Sequence, residues 1–136
     1  MASKTIFLQA GVIPFRRGER GIEVLLVSSR SGKRWVFPKG LIEAGDTPLF
    51  TAEREALEEA GARGTLHPEP LGRYRYRKWG GVCDVEMYAM EVTELMEKWA
   101  ENAFRVRLWS PLESVPTLLR EPVLVPILGK LDQLCR

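Results

Sequence analysis

Three glutamates in one short segment are the residues of this sequence best suited to chemistry. Glu55, Glu58 and Glu59 stand three and four positions apart, and residues at that spacing share one face of an α-helix. Three like charges on one face weaken a helix slightly, so a binding role is a reasonable explanation for them. Carboxylate oxygens are ligands for Mg²⁺ or Mn²⁺, with waters and substrate phosphates completing the shell. The spacing therefore predicts a divalent-cation site.

The charge of the chain is unevenly distributed around these glutamates. The net charge is only +2, yet six acidic residues accompany a single base, Arg54, between residues 43 and 59. The rest of the chain is correspondingly basic. An acidic cluster in a basic protein indicates a cation bound beside an anionic substrate, whereas charge alone would equally fit a solvated helix face.

The spacing of the acidic segment is more specific than its charge. Five residues separate Gly40 from Asp46, and seven more precede the run REALEEAGA, which starts at Arg54. This resembles the Nudix box, G-x5-E-x7-R-E-U-x-E-E-x-G-U with U apolar. Every fixed position agrees except that Asp46 stands where the family has Glu. So many spaced matches favour a cation site over a solvated helix face.

The resemblance extends over most of the chain, from about Val24 to about Trp109. The stretches VLLVSSRSGKRWVFPKG, EEAGARGTL, VTELMEKW and FRVRLW are similar to the diphosphoinositol polyphosphate phosphohydrolase branch of the family, which also cleaves diadenosine polyphosphates. The FPKG sequence resembles bacterial diadenosine polyphosphate hydrolases. The fold implied is α/β, a Nudix-type α/β/α sandwich with a central mixed β-sheet.

The resemblance also implies roles for individual residues. Glu55 matches the family residue that binds metal and acts as general base, and Glu58 and Glu59 match its metal ligands. The carbonyl of Gly40 matches a backbone ligand, and Arg54 the arginine that positions the glutamates. The implied cofactor is Mg²⁺, with Mn²⁺ as the alternative, and the implied reaction is attack of water on phosphorus to break a phosphoanhydride bond.

Two positions depart from the pattern. Asp46 is one methylene shorter than Glu, so its contact with Arg54 is in question, while its ability to cap a helix offers a structural reason for it. Lys39 stands where inositol-pyrophosphate enzymes tend to have glycine. It puts a cation beside the site and favours a nucleotide substrate.

Basic residues occur in three further segments that could bind phosphate. They are Arg30, Lys33 and Arg34, then Arg73, Arg75, Arg77 and Lys78, then Arg105 and Arg107. Strand alternation puts the arginines from 73 to 77 on one face and Tyr74 and Tyr76 on the other. That face is either a cationic rim for a polyphosphate or an ordinary solvated surface. By resemblance the substrate contacts are Arg30, Arg34, Lys39 and Arg105.

The secondary structure needed to position these residues can be predicted from cap-forming and turn-forming residues and from the periodicity of apolar residues. A helix is predicted over residues 46–60, capped by Asp46, with Pro48 first and Gly61 after its end. Its apolar stripe is Leu49, Ala52, Ala56 and Ala60. Strands are predicted over residues 4–15, 22–28, 35–37, 71–79, 82–92 and 104–109, with turns at 16–19 and 80–81 and a loop at 39–45. Residues 94–100 are amphipathic, and a helix is predicted over 122–134 with Pro126 in its first turn.

Composition limits the class of protein. A chain of 136 residues, 45% hydrophobic and 28% charged, fits one globular domain over residues 1–136. Cys83 and Cys135 form no disulfide or zinc pattern, and no apolar run approaches membrane-spanning length. We expect a soluble, cytoplasmic protein without a membrane partner. The oligomeric state is not predicted.

The preferred function is Mg²⁺-dependent hydrolysis of diadenosine polyphosphates, with diphosphoinositol polyphosphates second. RNA 5′-end or oxidised nucleoside triphosphate pyrophosphohydrolysis is an alternative, although the low net charge and lack of an RNA-binding signature disfavour nucleic acid. A non-catalytic nucleotide-binding module is an alternative of another class. Four tryptophans could stack a base, but strand tryptophans more often lie in the core.

Overall fold

The computed structural model describes residues 5–136, so Lys4, where the first predicted strand starts, lies outside the described residues. Within them the strands are β1 (Ile6–Gly18), β2 (Gly21–Ser28), β3 (Trp35–Val36), β4 (Lys39–Leu41), β5 (Ala62–Leu66), β6 (Gly72–Lys78), β7 (Gly81–Leu95) and β8 (Arg107–Pro111). The helices of the same part of the chain are α1 (Pro48–Ala60), α2 (Val115–Leu119) and α3 (Val125–Leu134).

The strands form one mixed sheet around β1. Strand β1 runs parallel to β7 and antiparallel to β2 and β4. The order is β3-β2-β1-β7-β5, with β4 also on β1, β6 on β7 and β8 on β2. The predicted mixed sheet is confirmed.

Side-chain alternation along β1 gives each face of the sheet its own core. Ile13 and Phe15 face a cluster that includes residues of α2 and α3, whereas Ala10 and Val12 face α1. The small side chains of Ala52, Ala56 and Ala60 are fully buried, so the backbone of α1 lies close to the sheet. This is the α/β/α sandwich that the sequence predicts.

Helix α1 carries the predicted glutamates, and its start differs from the prediction by one residue. The Thr47 hydroxyl, not the Asp46 carboxylate, accepts the Phe50 N–H at 3.1 Å and caps the helix. The end is as predicted, because Gly61 adopts the left-handed conformation with φ 62°. Asp46 is left free for another partner.

Several strand boundaries also differ from the sequence interpretation. Strand β1 extends to Gly18, into the turn predicted at 16–19, because Arg16 and Arg17 pair with β2. Residues 39–41 of the predicted loop pair with β1 as β4. Both changes follow from backbone pairing between segments distant in the sequence, which local residue preferences do not report.

The second half of the chain shows the same kind of difference. Strand β7 runs through the start of the segment 94–100, which forms no helix, and the last predicted strand begins at Arg107. Strand β5 and helix α2 were not predicted. The predicted C-terminal helix divides into a 3₁₀ turn, Pro122–Leu124, and α3, which has Pro126 in its first turn as expected.

Candidate active site

One cleft at the end of the sheet gathers nearly all the predicted site residues. It has a volume of about 410 Å³ and lies between β4, α1, the β6–β7 turn and the loops around residues 30 and 101. The predicted residues that line it are Arg30, Arg34, Lys39, Gly40, Glu55, Glu58, Glu59 and Arg105. Carboxylates and cations therefore share one cleft, as the uneven charge distribution indicated.

The carboxyl groups of Glu55 and Glu59 form the centre of the acidic side. They lie one turn apart on α1, where each carboxyl group alters the pKa of the other. Burial and the neighbouring Glu55 carboxyl group raise the pKa of Glu59 to about 8, against the attraction of Arg105. Burial likewise raises the pKa of Glu55. Two desolvated carboxyl groups in contact retain a proton, because both cannot ionise favourably without a cation.

Gly40 brings the backbone of β4 against this pair. A Cβ atom at Gly40 would collide with the carboxylate of Glu55, so any larger residue would displace that side chain. The neighbouring Lys39 N–H donates to Glu59 Oε1 at 3.4 Å. The glycine of the motif therefore lets β4 approach both carboxyl groups.

Arg54 lies outside the cleft and supports Glu55 from behind. Its guanidinium contacts Asp46 Oδ2 at 2.9 Å, donates to the Leu41 carbonyl at 3.3 Å and lies 3.7 Å from Glu55 Oε1. The contact that the shorter Asp46 side chain placed in question is thus made. Asp46 joins the loop after β4 to the arginine beside Glu55, instead of capping α1.

Glu58 lines the same cleft but does not complete a set of three. Within residues 5–136, no group of three or more His, Cys, Asp or Glu side chains is arranged to hold a metal ion. Magnesium commonly takes one or two protein carboxylates and fills its shell with water and substrate phosphate. The pair of Glu55 and Glu59, which is largely shielded from solvent and has the backbone of Gly40 against it, therefore fits a hard divalent cation.

A loop that the sequence interpretation did not assign supplies a further acid, Glu101. Its carboxylate pairs with Arg105 at 2.8 Å, and Arg105 also donates to the Ser28 carbonyl and lies 3.8 Å from Glu59. The Arg105 side chain is only 7% exposed, and its contacts hold Glu101 and Glu59 in place. The sequence signal for this pair was the four-residue spacing of Glu101 and Arg105. That spacing indicates contact between side chains on a helix, and this segment was not predicted to be helical.

Trp99 and Arg107 fasten this loop to the end of α1. The Trp99 indole N–H donates to the Glu59 carbonyl at 2.8 Å, and the Arg107 guanidinium lies 3.9 Å from the centre of the Trp99 ring. Arg107 also donates to the Ala60 and Met96 carbonyls. The two residues therefore position the helix turn that carries Glu59.

The cationic side of the cleft is more open. Arg34 is 63% exposed and lies 3.6 Å from Glu121, and Arg30 lies over the ring of Phe104. The Lys39 ammonium lies over the ring of Tyr76, and burial lowers the pKa of Lys39. Lys78, which was predicted only as part of a basic strand, lines the same cleft.

Two arginines of the predicted β6 face, Arg73 and Arg75, do not line this cleft. Arg73 pairs with Glu86 at 3.0 Å, and Arg75 pairs with Asp84 at 3.3 Å, both acids lying on β7. The opposite face carries Tyr76 and Lys78 into the cleft. Arg73 and Arg75 therefore lie outside the cleft, whereas Arg77 lines an adjoining pocket with Arg34, Lys39 and Lys78.

The cysteines and the helices bear on the expected class of the protein. Cys83 and Cys135 are both free. In the described part of the chain, no helix combines the length and apolarity needed to cross a membrane.

Comparison with known proteins places this chain in a family. The model of the NUDIX domain matches residues 6–127. The chain is 38% identical over 133 residues to "Nudix hydrolase 16, mitochondrial" of Arabidopsis thaliana, covering 85% of this chain and 73% of that protein. It is 37% identical over 120 residues to "Diphosphoinositol polyphosphate phosphohydrolase 3-beta" of Bos taurus, covering 85% and 72%. It spans about half the length of two further Arabidopsis relatives, 53% and 55%.

Among solved structures, an Ap4A hydrolase binary complex from C. elegans superposes with a TM-score of 0.76. The match covers 94% of this chain and 96% of that one at 22% identity. This likeness establishes the shared fold.

Proposed function

The chain belongs to the NUDIX hydrolase family, and from this premise we propose that it uses a divalent cation, Mg²⁺ or Mn²⁺, to cleave phosphoanhydride bonds of diadenosine polyphosphates. Diphosphoinositol polyphosphates are the second substrate class. The observation that carries the proposal is the single cleft in which buried carboxyl groups face Arg30, Arg34, Lys39 and Lys78. A polyphosphate needs cations along its length and a cation site at the bond that breaks.

The carboxyl groups of α1 form the reactive end of this cleft. A divalent cation held by Glu55, Glu59 and the Gly40 carbonyl, with Glu58 nearby, would polarise the phosphate oxygens. Glu55, held between Arg54 and Gly40, accepts a proton from the attacking water as general base. The water oxygen bonds to phosphorus, and the bridging oxygen leaves with the departing phosphate.

The open cationic side binds the rest of the substrate. Arg34 and Lys78 contact phosphates remote from the reacting bond, and Lys39, whose backbone N–H donates to Glu59, lines the same cleft. The bovine relative, a diphosphoinositol polyphosphate phosphohydrolase, supports an inositol pyrophosphate, and the C. elegans neighbour, an Ap4A hydrolase, supports a diadenosine polyphosphate. Lys39 favours the nucleotide. We further propose a cytoplasmic location, given the free cysteines, although the Arabidopsis relative is named mitochondrial.

A substrate panel tests the proposal. Purified protein is incubated with diadenosine tetra-, penta- and hexaphosphate, a diphosphoinositol polyphosphate, 5′-triphosphorylated RNA and oxidised dNTPs, each with Mg²⁺ or with EDTA. We expect the fastest turnover on a diadenosine polyphosphate and none in EDTA. Glu59→Gln should lower turnover at least about 100-fold, and Glu53→Gln, a change to an exposed acid on the same helix, should not. Tight binding with equally slow turnover by wild type and Glu59→Gln would instead identify a non-catalytic binding module.

A further inference from the structure

The turn between β6 and β7 places a tryptophan where the backbone disfavours one. Lys78 pairs with Gly81, so the hairpin turn consists of Trp79 and Gly80, one residue earlier than the sequence predicts. Both residues have positive φ, 55° and 68°, as a type I′ turn requires, and the preferred sequence for that turn is Asn-Gly. A bulky residue with positive φ is an outlier, and such strain often marks a functional position.

The Trp79 ring also makes few contacts within the folded chain. Trp79 is 53% exposed, which contradicts the expectation of a core position. The Phe7 ring meets it edge-on, with centroids 5.3 Å apart, and the Lys78 ammonium lies 4.7 Å from its centre. By contrast, Trp99 donates a hydrogen bond to α1. Strain and exposure together indicate a ligand that the folded chain does not supply.

The position of Trp79 indicates what that ligand is. Trp79 lines the same cleft as Glu55 and Glu59, next to Lys78. An exposed indole in a cleft that binds anions presents a flat surface to a planar group attached to phosphates. A nucleobase fits this description, whereas the ring of an inositol polyphosphate is neither planar nor aromatic.

We propose that Trp79 is the stacking platform for the nucleobase at the non-reacting end of a nucleoside polyphosphate. This rests on the proposed function and narrows it, because it makes the substrate a nucleotide. Lys78 then lies beside both the stacked base and its phosphates.

The turn offers an unusually clean test, because Trp79→Asn installs the residue that the backbone prefers. We expect the thermal midpoint to stay or rise, while KM for diadenosine tetraphosphate increases about tenfold. The KM for a diphosphoinositol polyphosphate, which has no base, should not change, and Trp79→Phe should restore most of the nucleotide affinity. Arg120→Asn is the matched control, since Arg120 also has a positive φ, 58°, but does not line the cleft. Equal effects of Trp79→Asn on both substrates, or none, would overturn the assignment.

Binding without metal separates this inference from the proposed function. Intrinsic fluorescence is titrated with diadenosine tetraphosphate in EDTA, for wild type and Trp79→Asn. Quenching in wild type that is lost in the variant supports the stacking platform even if the protein hydrolyses nothing. If the protein hydrolyses the substrate but Trp79→Asn changes neither the quenching nor the KM, the stacking platform is overturned while the proposed hydrolase activity stands. If diadenosine tetraphosphate neither quenches the fluorescence nor is hydrolysed, both the stacking platform and the proposed function are overturned.

Discussion

The acidic and cationic sides of the cleft are built in different ways. The side chains of Glu55 and Glu59, each 12% exposed, lie on a helix and are held by Arg54 on one flank and Arg105 on the other. Arg34 and Trp79 are exposed and lie on a loop and a turn. We infer that the acidic side is preorganised for the reaction, whereas the cationic side adapts to the substrate. Changes on the first should then lower kcat, and changes on the second should raise KM.

The largest effect is expected at Glu55. Glu55→Gln keeps the size of the side chain but removes the proton acceptor and a cation ligand, so kcat should fall by about 10²- to 10⁴-fold. KM for diadenosine tetraphosphate should stay within about threefold of wild type, as judged by steady-state kinetics with saturating Mg²⁺. A variant with a raised KM and an unchanged kcat would remove the distinction between the two sides.

The next effect is expected at the support behind Glu55. Arg54→Gln removes the ion pair with Asp46 and the charge beside Glu55, and loss of such supporting contacts costs about 10- to 100-fold in metal affinity or activity. The apparent dissociation constant for Mg²⁺ should therefore rise. Asp46→Asn should give a smaller effect in the same direction, because it retains an oxygen acceptor for Arg54. If both variants keep the wild-type apparent dissociation constant for Mg²⁺, Arg54 stabilises the fold and does not support the cation site.

The stability of the metal-free protein should depend on pH through Glu59. Its pKa is raised to about 8 by burial, above that of an exposed glutamate, so the folded state binds this proton more tightly. The resulting stabilisation is full below about pH 4.5 and is lost as the pH rises through about 8. Urea unfolding in EDTA should give a lower free energy of unfolding at about pH 9 than at about pH 6.

Glu59→Gln provides the control for that experiment, because a glutamine does not titrate. Its free energy of unfolding should change less over the same pH range. Added Mg²⁺ should stabilise wild type more at the higher pH, where the cation competes with fewer protons. Identical pH profiles for wild type and the variant would show that another group is responsible.

The smallest effect is expected on the cationic side. Arg34→Gln removes one exposed phosphate contact, so KM should rise about two- to fivefold with kcat unchanged. Glu121→Gln should act in the opposite direction, because Glu121 lies 3.6 Å from Arg34 and competes with substrate for it. Equal KM values for the two variants would mean that Arg34 does not contact the substrate.

The sequence was informative where chemistry depends on local spacing. The helix of Glu55 and Glu59, its alanine stripe and Gly61 follow from periodicity and turn preference, and they were predicted. Asp46 was misjudged, because capping preference cannot show that Thr47 serves the helix and leaves Asp46 for Arg54. Local preference alone does not decide between two adjacent residues that can both cap.

The parts that were missed depend on contacts between distant segments. The engagement of Arg73 and Arg75 by β7 acids requires the strand register. The exposure of Trp79 depends on a hairpin turn that lies one residue earlier than the glycines suggested. Glu101 reaches the site only because Trp99 and Arg105 hold its loop against α1. Apart from the four-residue spacing of Glu101 and Arg105, these arrangements leave no periodic signal in the sequence.

The rate of diadenosine tetraphosphate hydrolysis as a function of Mg²⁺ concentration, for wild type and Glu59→Gln, tests the central claim most directly. The claim predicts a saturable rise from zero activity in EDTA for wild type, and a rate at least about 100-fold lower for the variant at every Mg²⁺ concentration. Hydrolysis by wild type that persists in EDTA, or equal rates for the two proteins, would contradict the assignment of this cleft as a cation-dependent active site.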